Sequence, residues 1–405
     1  MFTEKTPKNA VKKLIDKSLL ETDHNGNYWL HPLVREFSYE DLKNKKEAHI
    51  LAVKYYLSIP LPENPIKKED LQPIIEAHYH ACMAEEYDQA LDIIFNNNLN
   101  KYLNLWGNYT VLIDLYSKLL PKNHFWEEIL LNDKKTYYVI LGTLGLAYHN
   151  FGDLRKAIEY YEQTLKIAQE IGNKQLESIV LVNMGLAYDN MRDLRKAITY
   201  YEQALKIDQE IRYREGESAV LANIGSAYHN LGDLRNAIKY CEQALKIAEE
   251  IGDRLGERTC LGILGLVYSD LGEPRRALKF HGEALKIVQE IGDKQGESIV
   301  LETLGLAYNH LGDLRNAIEY YEQALKIAQE IGYRRGEGAD LGNLGNAYSD
   351  LGEPRKAIEY YEQALKISRE IGDRRGEGNS LGNLGLAYSD LGEPRKAIEF
   401  LKQSL

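Results

Sequence analysis

The chain has 405 residues, a formal net charge of -11 and three cysteines. That charge argues against a general nucleic-acid or anionic-membrane binder, and no apolar run approaches the roughly 18 residues that a membrane span requires. Met1 opens the polar run FTEKTPKNAVKK without an apolar signal-peptide core, and Cys82, Cys241 and Cys260 lie at unrelated places, as reduced thiols do, so a cytoplasmic location is expected.

Residues 1–40 differ in texture from everything after them. Val11, Leu14, Ile15, Leu19 and Leu20 predict a short helix, and Asp23-His24-Asn25-Gly26-Asn27 is a turn signal ahead of a strand at Tyr28-Trp29-Leu30. His31 to Phe37 then opens another helix. The run LIDKSLLETDHNGNYWLHPLVREF resembles the end of the winged-helix domain in STAND (NB-ARC-type) signalling ATPases. In that family the histidine of a Met-His-Asp motif contacts bound ADP. The resemblance therefore implies a nucleotide-sensing role for His31, flanked here by Leu30 and Pro32 instead of Met and Asp. A small helix-turn-strand cap is the plain alternative. No Gly-x-x-x-x-Gly-Lys-Ser/Thr loop occurs, so nothing in the chain can cradle nucleotide phosphates in the P-loop manner. An ATPase domain, if one exists, is expected upstream, with the chain as a fragment that also stops part-way through a final helix.

Residues 41–136 read as an irregular helical region. Ala48 to Leu57 gives a helix, and Pro60, Pro62 and Pro65 mark a linker. Leu71 to Met83 and Tyr87 to Phe95 form one degenerate helix pair, and Trp106 to Leu120 a further helix closed by Pro121. Trp106, Phe125 and Trp126 are expected to cover the open face of the first regular repeat. His78 and His80 stand two apart, which points them in different directions on a helix, and no carboxylate or cysteine set completes a metal site.

From about Tyr137 to Leu405 one forty-residue sentence recurs seven times without insertion, the last copy truncated. Its glycine falls at Gly145, Gly185, Gly225, Gly265, Gly305, Gly345 and Gly385, its tyrosine three places later, and its alanine at Ala157, Ala197, Ala237, Ala277, Ala317, Ala357 and Ala397. A fixed period of this size defines a solenoid. Leu141, Leu144, Gly145 and Tyr148 share one face of a first helix. The second helix places Leu154, Ala157, Ile158, Tyr161, Leu165, Ala168 and Ile171 on its inner side. A glycine in a helix interior costs about 1 kcal/mol, so its return in every copy requires close approach by a neighbouring helix. Gly152 ends the first helix and Asp153 caps the second; other copies begin the second helix with Glu-Pro, as at Glu273-Pro274.

The pattern Leu-x-x-Leu-Gly-x-x-Tyr followed by Ala-x-x-x-Tyr-x-x-Ala-Leu resembles the tetratricopeptide repeat, in the longer form of kinesin light chains and Pins-type spindle adaptors. The resemblance implies an all-α fold, an α-solenoid in the form of a right-handed superhelix, with a small winged-helix-like remnant at its start. It further implies that first helices line a concave groove holding a protein or peptide ligand. Positions identical in every copy serve packing, so recognition falls where the copies disagree. The variable groove places include Asn183, Asn223, Ile263, Leu266, Asn343, Asn346 and Asn383. An Asn amide both donates and accepts and can pair with a peptide backbone of any sequence. A merely solvated groove is the alternative. Gly336-Glu337-Gly338 and Gly376-Glu377-Gly378 lack the strand and spacing of a dinucleotide loop, and Arg334-Arg335 and Arg374-Arg375 beside Glu337 and Glu377 read as an ion-paired edge. No cofactor and no catalysis are expected within the chain. The leading expectation is the ligand-sensing, autoinhibitory arm of a STAND ATPase; a free-standing adaptor bridging protein partners is the second.

Overall fold

The structure is a computed structural model and describes residues 20–22, 28–30, 44–63, 65–121 and 134–404. It divides into two compact units, Met1–Tyr160 and Tyr161–Leu405.

In the first unit β1 (Leu20–Thr22) pairs antiparallel with β2 (Tyr28–Leu30), Leu20 opposite Leu30 and Thr22 opposite Tyr28. The strand expected at Tyr28 is present. Leu20, assigned from its spacing to a helix, belongs instead to β1, where it pairs with Leu30. Val11, Leu14, Ile15, Leu19 and His31 lie outside the described residues. Helix α1 (Lys45–Leu57) starts under Asn44, whose side chain accepts the Glu47 N–H at 3.2 Å. The degenerate pair is α2 (Gln72–Met83) and α3 (Tyr87–Asn96), burying Ile74, Ala77 and Ala81 on one helix and Ala90, Leu91 and Ile94 on the other. The helix expected from Trp106 is instead two. Trp106 ends α4 (Leu99–Leu105) and stacks on Tyr102, Gly107 turns the chain at φ +68°, and α5 spans Tyr109–Ser117. Phe125 and Trp126 lie outside the described residues. Helix α6 (Lys134–Phe151) is the first helix of the first regular repeat, and α7 (Leu154–Glu170) runs on into the second unit.

The second unit is an α-solenoid of six further pairs. Its first helices are α8 (Lys174–Asn190), α10 (Arg214–Asn230), α12 (Arg254–Asp270), α14 (Lys294–His310), α16 (Arg334–Asp350) and α18 (Arg374–Asp390). Its second helices are α9 (Leu194–Ile211), α11 (Leu234–Ile251), α13 (Pro274–Ile291), α15 (Leu314–Ile331), α17 (Pro354–Ile371) and α19 (Pro394–Gln403). Among the described residues no strand follows residue 40, and no helix is long and apolar enough to cross a membrane.

The recurring glycine is explained by what lies over it. A Cβ on Gly185 would stand 2.4 Å from the Tyr201 ring sixteen residues on, and one on Gly265 equally close to His281. The two helices of a pair therefore meet with a side chain laid directly on backbone, a Tyr or His ring at Gly185, Gly265, Gly305 and Gly345, Cys241 at Gly225 and Leu401 at Gly385. Around that contact Ala197, Tyr201 and Ala204 of α9 pack with Val220 and Ile224 of α10, which joins each pair to the next. Asp193, Asp233 and Asp313 cap second helices as expected, each accepting the N–H three residues on. Glu273, Glu353 and Glu393 make no such cap; proline opens those helices and the glutamates pair with Arg276, Lys356 and Lys396. Ile171, expected inside, is 51% exposed, and Ile211, Ile291, Ile331 and Ile371 at the same final turn are also exposed. The inward face of the second helix thus ends one turn before the helix does.

Each first helix of the second unit also touches the first helix of the next repeat, whereas successive second helices make no comparable contact. The stack is tighter on the first-helix side. Within this unit that side is therefore the inner one.

Candidate functional site

Residues spaced i, i+4, i+7 and i+11 fall on one face of a helix. On α8 these are Ile179, Asn183, Leu186 and Asn190; on α16 they are Ala339, Asn343, Asn346 and Asp350. On these two helices the stripe begins small or apolar, passes through an asparagine and ends polar or acidic at the helix C-terminus.

The expected site residues occupy this stripe in three ways. Asn183 and Asn223 are half-buried in the row. Ile263 is also half-buried, packed on the cores that include Cys260 and Leu264, while Leu266 one turn later is exposed. The remaining three amides are tied to one another and to neighbours. Asn343 donates to Glu302 of the preceding first helix at 2.9 Å, Asn383 donates to Asn346 at 3.1 Å, and Asn346 also accepts from the Tyr361 hydroxyl at 2.8 Å. A ligand at these places competes with existing hydrogen bonds. Further along the stripe His229 meets Asp270 at 2.7 Å and Ser269 meets His310 at 2.7 Å, again from one repeat to the next. His31 lies outside the described residues.

Two acidic groups escaped the sequence reading. Asp340 is 1% exposed at the place where other copies have Val180, Val220 and Val300, and neither carboxylate oxygen has a hydrogen-bond partner. Burial, with the nearby Glu302 charge added, pushes its carboxyl up to about 8. Glu302 replaces a small residue (Gly142, Gly262 and Gly342 in other copies), and burial raises its carboxyl against the lowering effect of the Asn343 amide. The signal was present: both break an apolar or small column when the copies are set under one another.

Ion pairs and ring pairs also join the helices. Arg214 bridges Glu217 of its own helix at 2.5 Å and Glu250, thirty-six residues on, at 2.6 Å. Arg254 and Arg334 repeat the arrangement with Glu257 and Glu290 and with Glu337 and Glu370. The expected ion-paired edge is thus present at Arg334; in the last copy Glu377 is held by Arg369 instead, at 2.7 Å. Stacked ring pairs such as Tyr188–Tyr200 and Tyr348–Tyr360 recur in each copy, with Lys196 and Lys356 over them.

Groups with chemical potential are quiet. Burial raises the thiols of Cys82, Cys241 and Cys260 to about 12, well away from thiolate reactivity. His78 is buried beside Cys82 and held down to about 4, while His80 turns to His49, their Nδ1 atoms 2.7 Å apart. Among the described residues no set of three His, Cys, Asp or Glu side chains is placed to hold a metal ion.

The chain belongs to the tetratricopeptide repeat family. One family profile of that description matches residues 137–210, 217–290, 296–370 and 341–405, and a second matches 182–250. Similar solved structures include a Signal Transduction ATPase with Numerous Domains (STAND) protein with a tetratricopeptide repeat sensor from Pyrococcus horikoshii. The likeness has a TM-score of 0.53 at 18% identity and covers 99% of this chain and 58% of that one. The apo form of the quorum sensor NprR from B. thuringiensis matches with a TM-score of 0.55 at 16% identity, over 83% of this chain and 98% of that one. Aspartyl phosphate phosphatase F from Bacillus subtilis matches with a TM-score of 0.55 at 13% identity, over 85% and 95%. At these identities the likeness is one of fold. No curated protein matches the chain.

Proposed function

We propose that the chain is a protein- or peptide-binding scaffold whose inner, first-helix face carries the ligand. The observation that carries this reading is a division of labour between faces. The glycine column, invariant among copies, is consumed by packing, as at Gly185 under Tyr201, while the variable amide and leucine positions lie on one accessible stripe. Asn183, Asn223, Asn343, Asn346 and Asn383 offer backbone-pairing amides there, with Ile263 and Leu266 as an apolar centre.

The scaffold serves as the ligand-sensing and autoinhibitory arm of a STAND-type ATPase: ligand on the inner face releases a nucleotide-binding domain to oligomerise. Support comes from the resemblance of the run around His31 to a winged-helix end, and a STAND protein with a tetratricopeptide sensor shares the fold. A free-standing adaptor is the second reading, favoured by the kinesin-light-chain and Pins-like form of the repeat. Reading the coding sequence upstream of Met1 separates them. A P-loop within roughly 350 residues, the length of two or three domains, supports the sensor; its absence overturns the sensor and leaves the adaptor.

A further inference from the structure

The inner stripe has a charge character that the rest of the chain does not share. The sequence contains 50 Lys and Arg residues. None occupies any of the four stripe positions on any first helix of the second unit; cations there are confined to the first turn and to Arg258. The stripe's charged ends are instead Asp270, Asp350 and Asp390, where earlier copies have the neutral Asn190 and Asn230. Asp270 is already engaged by His229. Asp350 and Asp390 are exposed and have no ion-pair partner among the described residues; burial raises the Tyr361 hydroxyl, and the two carboxylates nearby add to that rise.

Apolar surface runs through the same stripe. Leu186, Leu266 and Leu386 are 36%, 37% and 60% exposed, all at the position one turn before the polar end. An exposed leucine repeated at one register, with unpaired carboxylates at Asp350 and Asp390 toward one end and no Lys or Arg in the stripe, is a surface of defined complementarity. A peptide with acidic side chains is repelled where it passes Asp350 and Asp390.

We propose that the occupant of the inner face is a peptide segment combining apolar side chains with Lys or Arg. Its apolar side chains sit against Leu186, Leu266 and Leu386, and its basic end lies over Asp350 and Asp390 in the last two repeats. The inference rests on the inner-face binding reading and adds the ligand's chemical class and polarity.

A random dodecapeptide library displayed on phage, selected against the full chain, supplies the probe. Enriched peptides are synthesised with a fluorophore and titrated by anisotropy at low and high salt. The expected outcome is enrichment of peptides bearing Lys or Arg beside apolar residues. Their affinity should fall about tenfold or more on Asp350→Asn with Asp390→Asn, the loss of charge-assisted contacts. The control Glu242→Gln with Glu322→Gln, exposed on the second helices, removes the same net charge and should leave affinity unchanged. Melting curves confirm that both pairs fold. Enrichment of acidic or uncharged peptides, equal losses in the two pairs, or no enrichment overturns the proposal. Uncharged peptides that weaken on Asn343→Ala with Asn383→Ala would sink the charge selectivity and keep the inner face as the site. Peptides indifferent to every stripe substitution would sink the inner-face reading itself.

Discussion

Asp340 is the residue at which the repeat breaks its own rule. A carboxyl buried without a partner is costly when charged, and its proton is therefore retained up to about pH 8, against an ordinary value of 3.8. Between these values the folded chain holds more protons than the unfolded one. Stability consequently falls as pH rises through that window and stays low above it. His281 works in the opposite sense: it fills the place of Tyr201 and Tyr321, burial lowers it to about 4, and stability falls as pH drops from 6.5 toward that value. Asp340→Val restores the residue of Val180, Val220 and Val300. It should flatten the decline above pH 4 and raise stability at pH 9 by about 1–3 kcal/mol. Urea denaturation at pH 5 and pH 9 checks this; an unchanged difference between the two would show that Asp340 is not the group responsible. The sequence displayed Asp340 as the one acid in a column of Ile140, Val180, Val220, Cys260, Val300 and Ser380. It did not display the depth of its burial, which comes only from the packed neighbours of the folded chain.

At the scale of the element, the helix pairs were readable because seven copies correct one another. A glycine, a tyrosine and an alanine at constant phase leave little freedom in where helices start and stop. The region before Tyr137 offers no such comparison. There the turn at Gly107 splits the expected Trp106 helix into α4 and α5, and Leu20 lies in a paired strand instead of the expected helix. Copies also differ in strength. In the second regular repeat Arg192 and Arg212 stand at φ +64° and +57°, where other copies have glycine, and Asp208 is buried at the place of Ala248 and Ala328. A side chain in the left-handed region costs roughly 1–2 kcal/mol, so α8 and α9 should open before their counterparts α14 and α15. Hydrogen exchange should show faster amides in α8 and α9, slowed by Arg192→Gly with Arg212→Gly. Uniform exchange across all copies would count against this.

For the whole molecule, periodicity alone reveals a stacked scaffold and the face that its packing leaves free. What it does not reveal is how far that face is already engaged with itself. The ties of Asn343 to Glu302 and of Asn383 to Asn346 depend on the offset of one repeat from the next, which no single copy encodes. These bonds sharpen the test of the central claim, that the inner face binds protein or peptide through its amide row. A net hydrogen bond contributes roughly 0.5–1.5 kcal/mol, so one Asn→Ala change is small against measurement error and the pair is needed. The deciding measurement is calorimetric titration of a peptide ligand into the chain and into the variant Asn343→Ala with Asn383→Ala, with both melted in parallel. The inner-face reading requires an affinity loss of about tenfold or more, with only a small shift in melting. Unchanged affinity in a folded variant would move the binding site off the first-helix face and leave those asparagines as inter-repeat ties.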